Sequence, residues 1–166
     1  MSLQNMPIMP LNRFEQEPRP VLQDFLLELL NLAVWAPNHG LREPWRFVYI
    51  DQELGRKMEW FRDEPAAHLV IVNVLNSLPY RQAEDTAATF CLIQNFQILA
   101  WEQLLAVNIT YPEWRYDPNV CDKMNVTNKE HIVAVLELGY VKAEKVKRVL
   151  KVQQRMDREV NWSLLK

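Results

Sequence analysis

Histidine, serine and glycine anchor most catalytic motifs, and here each occurs only three times. His39, His68 and His131 lie far apart, with neither an H-E-x-x-H pair nor Cys/His ligand spacing, so a zinc site is not expected. Ser2, Ser77 and Ser163 include no G-x-S-x-G elbow, which argues against a serine hydrolase. Gly40, Gly55 and Gly139 are scattered. A dinucleotide fingerprint or a P-loop needs clustered glycines so that backbone N–H groups can approach a pyrophosphate, and both are excluded. The two cysteines, Cys91 and Cys121, are too few for a disulfide framework and suit a reducing cytoplasm. Chemistry on this chain therefore falls to a bound cofactor, with protein groups supplying position and polarity. The polar residues best placed for that lie in one short loop, Asn38–Pro44, bounded by Pro37 and Pro44.

The elements that must position this loop are legible from periodicity. Pro18 and Pro20 lead into a helix expected over about 21–35, whose polar residues Asp24, Glu28 and Asn31 form one narrow stripe. A helix apolar on most of its circumference is buried on several sides. Phe47–Ile50 reads as a strand, 52–62 as a charged helix, and His68–Leu75 as an unbroken apolar strand of the kind a doubly covered sheet needs. Residues 84–107 read as the longest helix, again apolar nearly all round, with Cys91 in its core. Ile132–Leu138 reads as a third strand ended by Gly139. The whole is one domain over residues 1–166, an α+β fold with a mixed central sheet flanked by helices, an extended arm at 1–20 and a basic tail at 142–166. Two almost fully apolar helices exceed what one small sheet can cover, which points to a large subunit interface.

Hydrophobic residues make up 49% of the chain and charged residues 24%, enough for a packed core. The net charge of -2 advertises neither nucleic acid nor a membrane surface. No apolar run approaches the roughly 20 residues of a membrane span, and the first ten residues lack a signal-peptide pattern. Charge is uneven, however. From Lys142 onward eight basic residues face three acidic ones, leaving 11 basic and 18 acidic upstream, so a tail of +5 follows a body of -7. Docking of the tail within the same assembly fits that asymmetry better than nucleic-acid binding does.

Residues 33–47, Ala-Val-Trp-Ala-Pro-Asn-His-Gly-Leu-Arg-Glu-Pro-Trp-Arg-Phe, resemble the signature of the FMN-dependent nitroreductase family, in its Asn-His variant. Asp85-Thr86-Ala87-Ala88 with Gln94-Asn95 resembles the family's central helix, and Ile132–Tyr140 its last core strand. The resemblance spans about residues 21–141. It implies an intertwined homodimer with two FMN sites in the interface, each built from both chains. It also implies electron transfer from NAD(P)H through the flavin to nitro compounds, quinones or similar acceptors by turns at one flavin face.

The chain departs from the pattern near its start. The family's Arg-Arg-Ser-type grip on the flavin ribityl chain and phosphate gives way to Pro10-Leu11-Asn12-Arg13, with one arginine. On the matching positions, Arg13 would pair bidentately with the phosphate, and Arg42 is the next basic group, with Glu43 as its adjacent ion-pair partner. His39 would reach the neighbour's flavin, and Asn38 would join it or form an Asx-turn. Trp35 would stack on the ring system, though core packing is the favoured role there, while Trp45 anchors the loop to the core. Thr110 and Tyr111 would offer hydroxyls to the flavin tail. Arg155 and Arg158 in the tail are further phosphate candidates. No side chain is assigned acid–base catalysis. The competing reading is a non-enzymatic or weakly flavin-binding dimer that has lost much of this site.

Overall fold

The computed structural model describes residues 15–144. Its elements in chain order are α1 (Gln23–Ala33), β1 (Trp45–Asp51), α2 (Gln52–Lys57), β2 (Ala67–Val74), α3 (Pro79–Glu102), β3 (Leu105–Thr110), α4 (Pro118–Lys123) and β4 (Glu130–Tyr140). Short 3-10 turns occupy His39–Leu41 and Glu113–Tyr116. The result is α+β, as expected from the sequence.

The four strands form one sheet in the order β1-β2-β4-β3. Every neighbouring pair among the described strands is antiparallel, which corrects the expectation of a mixed sheet. The reason is topological. A β2–α3–β3 crossover leaves β2 and β3 parallel, but β4 inserts between them and pairs antiparallel with both. The sheet is covered on both faces, as the apolar run of β2 requires. On one face α1 and α3 pack through Leu26, Leu30, Leu92 and Phe96 against Leu69, Ile71, Leu136 and Leu138. On the other, Phe61, Val120 and Met124 close over Val70, Val72 and Val135. Each large side chain fully buried this way contributes roughly 1.5–3 kcal/mol.

Several boundaries differ from the sequence expectation for identifiable reasons. The helix after β1 ends at Lys57 rather than Arg62, because Met58 turns extended and Phe61 folds inward onto the sheet. The long helix begins at Pro79, a residue pre-set for a first helical turn, and ends at Glu102. Leu104 then takes a left-handed φ of 59°, and the apolar Leu105-Ala106-Val107, expected to continue the helix, opens strand β3. Gly139 does not end β4; it lies inside the strand opposite Ala106. Cys91 is exposed on α3, not part of a core.

Within one chain α1 buries only one stripe, Leu26, Leu29, Leu30 and Ala33, while Leu22, Leu27 and Leu32 face outward. The arm is extended over its described part, bridging Gln16 to Val141 with the Glu17 N–H on the Tyr140 carbonyl at 2.8 Å.

Candidate active site

The segment between α1 and β1 holds three of the five left-handed residues among those described. The helix closes on backbone bonds from Val34 and Ala36, and the Asn95 amide of α3 reaches the Ala33 carbonyl at 3.5 Å. Asn38 then spans the loop. Its Nδ2 donates to the Ala36 carbonyl at 3.3 Å, and its Oδ1 accepts the Glu43 N–H at 3.2 Å. Between these anchors Gly40, Leu41 and Glu43 adopt left-handed φ values of 67°, 50° and 45°. Glycine tolerates that region; a side-chain-bearing residue pays roughly 1–2 kcal/mol. Concentrated strain of this kind is characteristic of ligand clamps and active sites.

Arg42 fastens the loop to α3. Its Nε donates to Asp85 Oδ1 at 2.8 Å and its Nη2 to Glu84 Oε2 at 2.9 Å, so the partners are 42 and 43 residues away rather than the adjacent Glu43. These two acids hold the guanidinium pKa above its usual value. Asp85 is only 4% exposed and also receives the Asn76 amide at 3.4 Å. Beneath it the Thr89 hydroxyl lies 2.8 Å from Asn73 Oδ1 and 2.9 Å from the Asp85 carbonyl, its single proton shared between them. Asn73, near the end of β2, is fully buried, and its amide reaches the same carbonyl. A buried polar network thus ties the loop, the end of β2 and the first turns of α3 into one unit.

The loop tip is open. His39 is exposed, Leu41 is 81% exposed, and Trp35 is 85% exposed. The last value corrects the core role favoured for Trp35; Trp45, by contrast, packs against the core as expected. The remaining candidates sit elsewhere. Thr110 and Tyr111 close β3, at the same end of the sheet as the loop but on its far edge, three strand spacings or about 14 Å from β1. The Thr110 hydroxyl is already donated to the Val135 carbonyl at 3.1 Å, whereas Tyr111 is exposed. One chain therefore brings Trp35, Asn38, His39 and Arg42 together but holds Thr110 and Tyr111 apart from them. Arg13, Arg155 and Arg158 lie outside the described residues.

Sequence reasoning missed two residues at this sheet end. Arg115 approaches the Tyr111 and Tyr116 rings at 5.4 and 4.6 Å and donates to the Tyr116 hydroxyl, yet its Nε and Nη1 are buried without a hydrogen-bond partner. His131, opposite Asn73 in the register, has a buried and unpartnered Nδ1; burial and then the Arg115 charge lower its pKa. No local pattern singles out Arg115. For the buried network, the signal was Asn73, the one amide in a strand that is otherwise apolar apart from His68.

No family model matches the chain. Among curated proteins it is 28% identical to one named "Putative NAD(P)H nitroreductase YfhC" from Bacillus subtilis (strain 168), over 87% of each chain. Among solved structures, one described as "a putative nitroreductase in complex with FMN" from Desulfovibrio desulfuricans shares the fold at 15% identity, with a TM-score of 0.66 over 76% of this chain and 78% of that one. A nitroreductase-like family protein from Bacillus cereus superposes with a TM-score of 0.70 at 30% identity, covering 77% of this chain and 79% of its own. With that identity, that coverage and the antiparallel sheet under its Asn-His loop, the chain belongs to the nitroreductase-like family.

Proposed function

We propose that this protein is an FMN-dependent NAD(P)H oxidoreductase, reducing nitro compounds, quinones or similar small acceptors by a ping-pong cycle. Relatives named as NAD(P)H nitroreductase or solved with FMN support the reading. The observation that carries it is the strained, braced Asn38–Pro44 loop with His39 and Trp35 presented at its open end. When bound, FMN would supply the chemistry of hydride acceptance from the nicotinamide and electron transfer to the acceptor.

The residues divide into those that would touch the flavin and those that hold them. His39 offers an imidazole donor and Trp35 a flat face. Asn38 and Arg42 act through the loop, since their polar atoms are already engaged within the chain. The phosphate falls to guanidinium groups with N–H to spare. Arg115 has two such groups buried, and Arg13 is the second candidate. Tyr111 contributes a hydroxyl, and the Thr110 hydroxyl holds β3 in place beside it. Because β1 and β3 are opposite edges, the two residue sets meet only if they come from different protomers. Exposure of Leu22, Leu27, Leu32, Trp35 and Leu41 on the side of α1 and its loop supports a second copy as the cover, giving an intertwined homodimer. The arm before residue 15 and the tail beyond residue 144 lie outside the described residues; the +5 charge of the tail against a body of -7 is what supports its docking within the assembly.

Titration of FMN against the purified chain, followed by flavin fluorescence and NADH- or NADPH-driven bleaching, tests the proposal. Saturable quenching and turnover are expected. His39→Ala should weaken FMN binding ten- to hundredfold, the cost of a hydrogen bond to a charged or strongly polar group, while sedimentation still gives a dimer. Absence of quenching at high micromolar protein would overturn the oxidoreductase reading in favour of a cofactor-free dimeric relative.

A further inference from the structure

The face of the sheet away from α1 and α3 carries a polar row that its apolar surroundings do not explain. His68, Glu137 and Asn108 are direct neighbours across β2, β4 and β3. They sit beside a layer otherwise built from residues such as Val70, Val72 and Val135. His68 is 1% exposed and Glu137 4%. Burying polar groups is costly unless they are paired, and here the pairing is incomplete. Glu137 Oε2 accepts from Asn108 at 2.7 Å, but its cationic contact is a long 3.4 Å to Arg62, which also serves Glu64 at 3.3 Å. Both ring nitrogens of His68 are buried with no partner, and so is the indole N–H of Trp60.

Of these groups His68, Glu137, Arg62 and Trp60 line one cavity of about 290 Å³, together with Thr110 and Tyr111. Its walls are aromatic. The Phe61 ring lies 4.6 Å from His68 and 5.2 Å, edge-on, from Trp114, with Trp60 at 6.4 Å. We propose that this cavity is a second binding site, for a flat aromatic molecule carrying amino or amidine N–H groups.

Each part of the ligand answers a feature of the cavity. The buried Glu137 carboxylate demands a donor and repels an anion. A ligand amine supplies that donor and replaces the long Arg62 contact. The His68 ring offers one donor and one acceptor when neutral, and burial keeps it neutral by lowering its pKa to about 4. Its Nδ1 edge is turned to Gly55 of α2, where an added Cβ would come within 3.3 Å, so Nε2, with the Trp60 N–H, is the nitrogen left to bond ring nitrogens that a purely apolar ligand lacks. The aromatic walls favour a planar ring, more so if it carries positive charge. The volume suits a one- or two-ring molecule at the small end of ligand sites. The cavity shares Thr110 and Tyr111 with the flavin reading, but the groups that carry this inference, His68, Glu137 and Trp60, are not among the residues proposed for the flavin, so a comparison with and without FMN separates the two.

The probe is 2-aminobenzimidazole, titrated into the ¹⁵N-labelled full-length chain with and without saturating FMN. Saturable, submillimolar binding is expected, with shifts at the Trp60 indole N–H and the His68 ring and no difference between the two conditions. Benzimidazole lacking the amino group, and benzoate, should bind at least tenfold more weakly. Glu137→Gln should lose at least tenfold in affinity for the amino compound; if it fails to fold, the ligand series on the unmodified chain decides alone. Equal binding of benzoate, shifts confined to other residues, or competition with FMN would each overturn the proposal.

Discussion

Replacing Asn38 by alanine separates two ways in which this residue could matter. Its side chain makes two hydrogen bonds, at 3.2 and 3.3 Å, both at the long end of the range, the first exposed and the second half-buried. Each is worth about 0.5–1 kcal/mol net, so their loss costs roughly 1–2 kcal/mol. Leu41 and Glu43, at φ 50° and 45°, hold strain of similar size that the freed loop can release. Part of the cost is thereby recovered, and global stability should fall by about 1 kcal/mol, or 2–4 °C in Tm for a domain of this size. The local effect is larger. Exchange of the Glu43 amide should accelerate about tenfold, because its acceptor is gone. Asn38→Asp keeps that acceptor and loses only the donor to Ala36, so Glu43 should stay protected and Tm should drop by half as much. FMN affinity should follow loop order, reduced up to about tenfold in the alanine variant and nearly unchanged in the aspartate one. If Asn38→Asp loses FMN a hundredfold at unchanged Tm, Asn38 touches the flavin directly. If neither variant alters Glu43 exchange, the bracing argument is wrong.

Two further outcomes concern the buried His68 with the Arg46–Glu130 ion pair, whose Nε and Oε1 lie 2.8 Å apart, and Gly40. Burial holds His68 at about 4, and the Arg46 hydrogen bond holds Glu130 at about 2, so both folded values lie below the unfolded ones. Stability is therefore complete above pH 6.5 and falls in two stages on acidification. The His68 share, up to about 3 kcal/mol, goes between 6.5 and 4, and the smaller Glu130 share, about 1–2 kcal/mol, between 4.5 and 2. His68→Leu should flatten the upper stage in a series of thermal melts; a wild-type Tm constant from pH 7 to 4.5 contradicts the assignment. Gly40→Ala should cost about 1 kcal/mol, seen as a 2–4 °C loss in Tm, for backbone reasons alone. The added Cβ would meet only Arg42 Nη1, at 3.9 Å, while φ stays at 67°. An unchanged Tm would show that the loop relaxes freely.

How much of this was legible in the sequence depended on whether the deciding partner was local. Strand β2 was readable because nearly every residue is apolar, as burial on two faces demands. The loop was readable because Pro37, Gly40 and Pro44 punctuate it. Strand β3 was not, since Leu105, Ala106 and Val107 continue the helical spacing of α3 and only their pairing with β4 makes them extended. Arg42 has an acidic neighbour in sequence, yet binds two acids more than 40 residues away. Trp35 sits where an aromatic residue normally packs inward, and apolarity does not say whether its cover comes from the same chain. The outer cavity was invisible because His68, Glu137 and Asn108 meet only across strand register.

The placement of β4 has a consequence for biosynthesis. It is the last strand of the described sheet to be made and yet an inner one, with β2 and β3 on either side. A chain emerging from the ribosome can join β1 to β2 early, but the other edge of β2 and the edge of β3 that β4 will cover stay open until residue 140 clears the exit tunnel. Those edges are apolar and β-branched, which is the composition that recruits foreign strands. The interval is set by translation, at roughly 5–20 residues per second, and amounts to a few seconds between the completion of β3 and the arrival of its partner. Slow codons between residues 111 and 130 would lengthen this exposure, and a nascent chain stalled there should be an especially avid chaperone client. A sheet joined only by its last-made inner strand has little tolerance for being interrupted late.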